Sequence, residues 1–501
     1  MNLFFRLNAS DLIGYGHLSR CINLADGLKR EDKKIKNFFL FDRPNSLKIN
    51  KKIKILYTQS NYEGNSEKID IKKDYLKTIS FIKKYNPKLL ILDHYDITFT
   101  WEKKISKYVK LMIIDDLNNR KHTAKYILDY SLNRNIKSYS DLVQKNTIKF
   151  MGPNYFLFKY SMKNKRKKSF KNQSSDKIKT IMINFGGFDK KGYLLKTLKL
   201  ILFKDLFLGK KFILLTGFNN KLHLKIKELI IQSKRKKDFK IYADTKNITD
   251  LYSNSDLAIG SGGVSSYERL MFGIPTIQIN TYRNQINNTN CLNESNLIVK
   301  LKKLTEKNLI NSYDKLIKNK YKIFKLSYSI FNDDVYNILY NKIFCKNKLS
   351  SKSIKIFPMS IFDKKFLYTL QNKKNIRSFF FSKEKVSKLE HNKWFIKNFF
   401  DNTTLLFKII LSEENVGFIR LSLIKNNDYD ISIIVDPIYQ NRGIATKTLQ
   451  LIKKIMVDKN LIAKIYDKNI ASIKIFKKNG FKFKSIQNNI KTLILKKNET
   501  N

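Results

Sequence analysis

Short runs of apolar residues alternate with amphipathic stretches along the first 345 residues of the chain. The segment NLFFRL at 2–7 is typical of a buried strand, and HLSRCINLADGLKR at 17–30 has the apolar spacing of a helix. Strands that alternate with helices in this way predict parallel sheets whose faces are covered by helices. Further apolar runs of the strand type stand at 37–42, 89–95, 180–187, 211–217, 256–263 and 274–280.

The pattern changes near residue 353 and indicates a different domain. A hairpin is predicted at 405–424, a strand at 429–435, a helix from 443, a strand at 461–466 and then a short terminal helix. The fold class is therefore α/β, with two Rossmann-like domains followed by an α+β domain. The expected boundaries are 1–160, 178–345 and 353–501, with a polar, basic linker at 161–177.

A formal net charge of +57 raises the question of a nucleic-acid partner. Only 13 of the 99 basic residues are arginine, and the lysines are spread along the whole chain. Because readers of bases and grooves rely on arginine, we expect no nucleic-acid partner.

The three cysteines indicate neither a disulfide framework nor a metal site. Cys21, Cys291 and Cys345 lack the spacing of either, so we expect a reducing, cytoplasmic location and no metal. Arg6 interrupts the apolar N-terminus after five residues, which argues against a signal peptide. No apolar run reaches the length of about 18 residues that a membrane span needs, so no membrane insertion is expected.

A glycine-bearing turn follows the first predicted strand. Gly14 and Gly16 let the backbone turn sharply and approach a ligand closely. The helix that starts near His17 points its free N–H groups towards the same place, and its dipole disfavours a charged imidazolium. A neutral histidine there is suited to act as a general base towards water. Taken alone, the pattern fits a helix-capping histidine equally well.

The stretch FRLNASDLIGYGHLSRCINLADGL at 5–28 resembles the N-terminal signature of the UDP-2,4-diacetamido-2,4,6-trideoxy-altropyranose hydrolases of pseudaminic acid synthesis. Two later segments, LDHYDI and IDDL, resemble further motifs of that family at strand ends. The resemblance implies an inverting, metal-independent hydrolase with His17 as its catalytic base, although Asn8 stands where the family usually has Asp. The substrate-binding residues that it implies are Arg6, Asn8, Gly14, Gly16, Arg20, Asp93, His94, Tyr95, Asp115 and Asp116.

The segment IGSGGVSSYERLMFGIPTIQI at 259–279 indicates a second site. A glycine pair just before a helix can hold a diphosphate on backbone N–H groups, and a Glu farther along can accept hydrogen bonds from both ribose hydroxyls. The order of glycine pair, Glu, G-x-P and N-Q resembles the UDP-binding half of GT-B glycosyltransferase-type folds. This resemblance implies UDP-sugar binding by Gly186, Gly187, Gly262, Gly263, Glu268, Asn284 and Gln285.

A Q-x-x-G-x-A motif follows a predicted strand and opens the helix predicted from 443. It resembles the turn of the GNAT acetyltransferases that holds the pyrophosphate of acetyl-CoA, with splayed strands admitting the pantetheine arm. The resemblance implies an acetyl-CoA site made by Val435, Gln440, Asn441, Arg442, Gly443, Ile444, Ala445, Asn469, Ser472 and Phe476.

Phe476 departs from the pattern of the GNAT family, because many members carry at that place a tyrosine that reprotonates the CoA thiolate. We therefore expect Tyr466, another group or water to supply that proton. The stretch at 375–395 resembles the early helices of acetyltransferases that modify UDP-4-amino-4,6-dideoxy sugars. That resemblance implies that Arg377 and His391 line a sugar pocket.

Together the resemblances imply two consecutive steps on UDP-linked amino sugars, acetylation with acetyl-CoA and then release of UDP. The main competing hypothesis is a UDP-sugar glycosyltransferase fused to an acetyltransferase. Two further hypotheses are an acetyltransferase of protein substrates that carries a degenerate sugar domain, and a basic nucleic-acid binder.

Overall fold

The computed structural model describes residues 1–7, 16–43, 53–60, 69–166, 178–186, 189, 191–217, 222–243, 245, 247–345, 354–380, 382–401, 403–411, 414–425, 427–456 and 459–497. The chain divides into two compact units, Met1–Phe344 and Cys345–Asn501. Within the described ranges, no helix has both the length and the apolar composition needed to cross a membrane.

A seven-stranded sheet forms the first layer of the N-terminal unit. Its strands are β1 (Asn2–Leu7), β2 (Lys36–Phe41), β3 (Lys54–Tyr57), β4 (Leu89–Asp93), β5 (Leu111–Ile114), β6 (Tyr126–Asp129) and β7 (Ile148–Met151). They follow the order β3-β2-β1-β4-β5-β6-β7, and every neighbouring pair is parallel. The chain order reverses between the neighbouring strands β1 and β4, so the topological switch point lies at their carboxyl ends.

A six-stranded parallel sheet forms the second layer of the same unit. Its strands are β8 (Thr180–Asn184), β9 (Lys211–Thr216), β10 (Phe239–Ala243), β11 (Leu257–Ser261), β12 (Thr276–Ile279) and β13 (Val299–Lys300). The order β10-β9-β8-β11-β12-β13 repeats that of the first sheet, with the switch point between β8 and β11. The apolar runs at 89–93 and 257–261 are buried along their whole length, as in strands with both faces covered.

Helices connect and cover these strands. They are α1 (Gly16–Glu31), α2 (Ile71–Tyr85), α3 (Phe99–Ile105), α4 (Tyr193–Phe203), α5 (His223–Ile231), α6 (Ile248–Ser253), α7 (Val264–Met271), α8 (Ile286–Glu294), α9 (Glu306–Ser329) and α10 (Val335–Phe344). Each sheet packs its helices around its own apolar core.

The last helix of the N-terminal unit packs against the first one. A Cβ built on Gly27 of α1 would lie 2.2 Å from the ring of Tyr336 in α10, so only glycine allows this approach. The Tyr336 hydroxyl donates to the carbonyl of Phe158, and the Asn337 amide donates to Glu31 at 2.8 Å. The chain thus returns from the second sheet to the helix that follows β1.

The C-terminal unit is built on a mixed sheet. Its strands are β14 (Ile354–Pro358), β15 (Thr404–Leu411), β16 (Glu414–Lys425), β17 (Asp428–Val435), β18 (Asn460–Tyr466), β19 (Lys482–Gln487) and β20 (Ile490–Leu495). The order is β14-β15-β16-β17-β18-β20-β19, antiparallel except for the parallel pair β17–β18. Its helices are α11 (Lys364–Gln371), α12 (Lys374–Arg377), α13 (Lys388–Phe400), α14 (Ile444–Ile455) and α15 (Ile470–Lys478).

The end of this unit differs from the sequence-based expectation of a short terminal helix. After α15 the chain adds the antiparallel hairpin β19–β20. Its turn residues Asn488 and Asn489 adopt positive φ angles of 47° and 62°, which asparagine tolerates better than most residues. The side chains of β19 are largely exposed, and the apolar alternation that normally reveals a strand is therefore weak.

Candidate functional site

An ion pair lies at the switch point of the first sheet. Asp93 is the last residue of β4, and its carboxylate accepts two hydrogen bonds from Arg20, from Nε at 2.6 Å and from Nη2 at 2.5 Å. Burial raises the pKa of the Asp93 carboxyl, but the charge of Arg20, followed by the interaction with His17, outweighs burial and holds that pKa well below its usual range. Asp93 is therefore an ionised, hydrogen-bonded anchor inside the protein.

His17 is held by this anchor. Its Nδ1 lies 2.5 Å from Oδ1 of Asp93. An ionised carboxylate can only accept, so Nδ1 carries the proton and a neutral ring keeps its lone pair on Nε2. An aspartate that orients an imidazole through Nδ1 leaves Nε2 as a general base, as in hydrolases with an Asp-His pair.

Besides Asp93, Arg20 contacts residues that follow β5 and β6. Its Nη1 donates to Asp116 at 2.7 Å and to the Tyr130 hydroxyl at 3.2 Å. Burial lowers the pKa of Arg20, but Asp93 and Asp116 outweigh burial and raise it well above the usual value. Arg20 is thus a fixed cation that joins three strand ends.

Tyr95 and Asp116 complete the cluster around the imidazole. The Tyr95 ring meets the ring of His17 edge-on, with 4.6 Å between centroids, and its hydroxyl donates to Asp116 at 2.9 Å. Burial, together with the charge of Asp116, raises the pKa of Tyr95, so the phenol keeps its proton. The structure brings His17, Arg20, Asp93, Tyr95 and Asp116 together, and their common role in binding a substrate stays a prediction.

His94 lies beside this cluster and is almost fully buried. Burial, followed by the charge of Arg6, holds the pKa of His94 well below its usual value. Its Nδ1 accepts the N–H of Asp96 at 3.1 Å, which leaves the proton on Nε2. Within the described part of the chain, Nε2 has no hydrogen-bond partner.

The guanidinium of Arg6 points away from His17 and towards Asp74. It is fully buried and donates to Asp74 of α2 from Nε at 3.0 Å and from Nη2 at 2.7 Å. The structure therefore places Arg6 in an internal ion pair rather than with the side chains around His17. Asn8 and Gly14 lie outside the described residues.

The two neighbouring aspartates after β5 face different surroundings. Asp116 joins Arg20, whereas Asp115 accepts the N–H groups of Leu117 and Asn118 and the hydroxyl of Tyr139. His122 places Nδ1 2.9 Å from Glu102 and Nε2 3.5 Å from Asp115. Asp115 thus belongs to a buried network that shapes the loop, and the prediction that it binds substrate has no support from its position.

The glycine pair of the second sheet lies opposite α1. Gly262 and Gly263 connect β11 to α7, and Gly263 has a φ of 90°. A Cβ on Gly16, at the start of α1, would lie 3.7 Å from Val264 at the start of α7. The beginnings of both helices, each with free N–H groups, are therefore in contact next to His17.

Tyr130 and Tyr267 make contacts between the two halves of the N-terminal unit. The Tyr267 hydroxyl in α7 accepts the N–H of Leu132 at 3.0 Å and donates to Asn288 at 2.6 Å. Its ring meets that of Tyr130 edge-on at 5.3 Å, and Tyr130 also contacts Arg20. The sequence analysis missed both tyrosines, although Tyr130 follows a strand end, where α/β sites gather.

Gln285 lies next to the glycine pair. A Cβ on Gly262 would lie 3.1 Å from Cβ of Gln285, and a Cβ on Gly263 would lie 3.8 Å from its amide nitrogen. The Gln285 side-chain oxygen accepts the N–H of Thr281 at 2.9 Å. The side chain of Asn284 lies outside the described part of the structure.

The remaining predicted residues of the nucleotide half have these positions. Glu268 is buried in α7 and accepts a hydrogen bond from Tyr252 at 2.9 Å. Burial raises the pKa of the Glu268 carboxyl. Gly186 follows β8 at the switch point with a φ of 88°, and its N–H donates to Asn184 at 2.8 Å. Gly187 is outside the described residues.

The turn between β17 and α14 has the shape of an anion cradle. Asn441 and Gly443 adopt φ angles of 61° and 72°, and a Cβ on Gly443 would meet no atom within 4 Å. The Gln440 amide donates to the carbonyl of Val435 at 3.0 Å, and the Arg442 guanidinium lies over the ring of Tyr439. Ile444 and Ala445 begin α14, whose free N–H groups open onto the turn.

The parallel strands β17 and β18 separate beside this turn. Their pairing covers Asp428 to Asp430 only, whereas the opposite edge of β17 stays paired with β16, and that of β18 with β20, to the ends of both strands. Val435 and Tyr466 are the last residues of the two separated strands. A gap between diverging strands leaves unpaired backbone groups that an extended ligand can bind, so the described residues fit the pantetheine arm of acetyl-CoA.

The residues of α15 divide between cap and core. Asn469 caps the helix by accepting the N–H of Ser472 at 3.1 Å. Phe476 is buried in the core of the unit, edge-on to Phe481 at 4.9 Å. Its ring thus packs internally at the position where many GNAT members carry a tyrosine.

Arg377 and His391 lie in the helical layer of the C-terminal unit. His391 is 1% exposed, contacts Tyr368 and Trp394, and places Nε2 3.0 Å from the carbonyl of Lys364. Arg377 is 6% exposed and donates to the carbonyl of Ser382. Their burial indicates helix packing, and the prediction that they line a sugar pocket is not supported by these positions.

Two family models match separate parts of the chain. Residues 194–335 match the glycosyltransferase family 28 C-terminal domain, and residues 355–482 match the acetyltransferase (GNAT) domain. The chain therefore carries a glycosyltransferase-family-like domain and an acetyltransferase domain. The predicted fold class, two Rossmann-like sheets followed by a GNAT-like mixed sheet, is confirmed.

Similar proteins include an archaeal one of comparable length. An uncharacterized protein of Methanocaldococcus jannaschii is 25% identical over 497 residues, which cover 94% of each chain. A solved domain from the same organism is 24% identical and covers 28% of this chain and 97% of its own, with a TM-score of 0.27. A spermidine N-acetyltransferase from Vibrio cholerae, solved with CoA and spermine, is 17% identical over 29% of this chain and 97% of that chain, also at 0.27.

The buried network of His122 predicts a pH-dependent stability. Burial lowers the pKa of His122, but the nearby carboxylates of Asp115 and Glu102 outweigh burial and raise it to about 9. Because the pKa of the folded state exceeds the unfolded value, the stabilisation is complete below about pH 6.5 and is lost as the pH rises through about 9. The free energy of unfolding should fall over this range by at most ~3 kcal/mol.

Urea unfolding followed by Trp101 fluorescence between pH 6 and 9.5 measures this loss in a Trp394→Phe background, which leaves Trp101 as the single tryptophan. His122→Gln should unfold more easily at pH 6 and show a flatter dependence on pH. Equal slopes in both proteins would contradict the prediction, and His223→Gln serves as a control.

Proposed function

We propose that the chain is a bifunctional enzyme of nucleotide-sugar metabolism. The C-terminal unit acetylates the 4-amino group of UDP-4-amino-4,6-dideoxy-N-acetyl-altrosamine. The N-terminal unit then hydrolyses the product, UDP-2,4-diacetamido-2,4,6-trideoxy-altropyranose, to the free sugar and UDP. The observation that carries the hydrolytic assignment is the Asp93-oriented His17 on α1, whose first residue contacts the start of α7 beside the Gly262–Gly263 turn.

Hydrolysis proceeds by attack of water at the anomeric carbon. His17 Nε2 removes a proton from the water as its oxygen bonds to C1, and the bond between C1 and the phosphate oxygen breaks with inversion. The electron pair leaves with UDP, whose charge is stabilised by the N–H groups at the start of α7. Asp93 then stabilises the imidazolium that forms, through its contact with Nδ1.

The identity of the sugar rests on the motifs around His17. The R-x-x…G-x-G-H-x-x-R order, the DHY segment and the IDD segment resemble one hydrolase family. The match to the glycosyltransferase family 28 C-terminal domain supports a nucleotide-sugar ligand for the second sheet. A hydrolase that consumes the product of the fused acetyltransferase also gives the fusion a chemical reason.

Acetylation takes place in the C-terminal unit. Acetyl-CoA supplies a thioester whose acyl carbon is attacked by the sugar amine, with CoA as the leaving thiolate. The Gln440–Ala445 turn would bind the pyrophosphate, and Val435 would lie beside the thioester arm. Tyr466, at the end of the facing strand, would return a proton to the thiolate.

The division of labour predicts that one substitution separates the two activities. His17→Gln should lower the rate of UDP release by about 10²–10⁴-fold, the usual contribution of a general base, without slowing CoA release. Both products are followed by mass spectrometry with acetyl-CoA and the UDP-amino sugar. His223→Gln should retain both activities, and loss of both in His17→Gln would contradict the assignment.

A second prediction concerns the proposed acetyl-CoA turn. Gly443→Ala should raise KM for acetyl-CoA by about tenfold or more, because the added methyl group enters the open cradle and strains a positive φ. UDP release from already acetylated substrate should not change. Gly209→Ala is a matched control, since Gly209 has a φ of 71° and equally open space in the other unit. Unchanged KM in Gly443→Ala would count against the turn.

The family 28 match also favours a second candidate function for the N-terminal unit, that of a glycosyltransferase. In that case a sugar hydroxyl would occupy the place of the attacking water. UDP release would then require an added acceptor and would be slow in buffer alone. Release at full rate in buffer, with one solvent ¹⁸O atom in the free sugar, identifies the hydrolase.

A further inference from the structure

An incompletely paired guanidinium lies buried behind the glycine pair of the second sheet. Arg269 of α7 is 0% exposed, and its Nη2 donates to the carbonyl of Ser261 at 2.6 Å. Among the described residues, its Nε and Nη1 atoms have no hydrogen-bond partner. A buried polar group without partners is costly, and a buried charge still more so.

The adjacent carboxylate does not neutralise this cation by direct contact. Glu268 precedes Arg269 on α7, but its side chain accepts from Tyr252, and within the described ranges no hydrogen bond joins the two side chains. Burial lowers the pKa of Arg269 and raises that of Glu268. The side chains around Arg269 therefore compensate its charge only in part.

The position of the cation points to the turn. Nη1 would lie 3.1 Å from a Cβ on Gly260, so the guanidinium packs directly against the end of β11. The Ser261 carbonyl belongs to the peptide group whose N–H is that of Gly262. Donation to a carbonyl polarises its peptide group, which makes the N–H at the other side a stronger donor.

We propose that Arg269 is a positioning residue for a diphosphate bound at the Gly262–Gly263 turn, acting from behind through the Ser261–Gly262 peptide and by the charge of its incompletely paired guanidinium. The proposal rests on the proposed function for the nucleotide, but the anion chemistry applies to pyrophosphate as well. The proposed ligand is thus an oxyanion, whose negative charge is attracted by the Arg269 guanidinium and by the N–H groups of the turn.

The proposal and a purely structural role predict opposite effects on stability. Replacing an under-compensated buried charge by an apolar side chain of similar length is often neutral or stabilising. A guanidinium that served only to hold the fold would instead leave a less stable protein when removed. Affinity and melting temperature, measured on the same variants, therefore separate the two roles.

Arg269→Met in the full chain should bind UDP and inorganic pyrophosphate at least about tenfold more weakly in calorimetry, equivalent to ~1.4 kcal/mol. Its melting temperature without ligand should equal or exceed that of the wild type. Arg269→Lys, which keeps the charge, should retain more affinity than Arg269→Met. If the methionine variant fails to fold, the uncharged Arg269→Gln takes its place in this comparison.

Arg166→Met is the matched control. Arg166 is also buried, but it is paired with Asp333 at 2.7 Å and donates to Met271 at the opposite end of α7. Its replacement should lower the melting temperature and leave UDP affinity within about twofold, as expected for a paired charge remote from the turn.

The outcomes distinguish this inference from the proposed function. Wild-type affinity in Arg269→Met, or weaker affinity together with a lower melting temperature, overturns the inference while UDP binding stands. Pyrophosphate binding that depends on Arg269 without any UDP binding supports the inference and overturns the nucleotide assignment. A wild-type protein that binds neither probe overturns both.

Discussion

The bidentate pair between Arg20 and Asp93 is the contact on which the first site depends. It places an ionised carboxylate, which water would otherwise solvate, inside the protein at the switch point of the sheet. The same carboxylate sets the tautomer of His17, and the same guanidinium reaches Asp116 and Tyr130. Since Arg20 and His17 are three residues apart on α1, both side chains lie on one face of the helix and reach Asp93 at the end of β4.

The two sheets of the N-terminal unit share one topology but carry different kinds of residues at their switch points. Each leaves its switch point between its first and fourth strands, and in the second sheet Gly186 and Gly263 adopt positive φ angles there. The end of the first sheet gathers titratable side chains, whereas that of the second presents glycines and the start of α7. Under the proposed function this division has a chemical reason, because a proton-transfer group needs a tuned side chain and a diphosphate needs several N–H donors at once.

Much of this organisation could be predicted from the sequence, because apolar runs and glycines are local signals. The strand ends that carry Asp93 and Gly262 were found in this way. The partnership of Asp93 with His17 was not, since it depends on β4 lying beside β1, and alternation alone does not determine strand order. The roles of Asp115, His391 and Arg377 were predicted from motif position, but burial and partners depend on packing that no local pattern encodes. The terminal hairpin was missed because its strand β19 is polar and exposed.

The contact of α10 with Gly27 has a consequence for how the N-terminal unit can be divided. The ring of Tyr336, more than 300 residues later in the chain, packs against Gly27 on the helix that carries His17. The layer that covers the first sheet therefore includes a helix from the end of the N-terminal unit. A fragment ending at the boundary between the sheets would expose that face of α1 to solvent. Separate expression, domain exchange or circular permutation of this unit must therefore carry the segment that ends at Phe344 together with the first sheet.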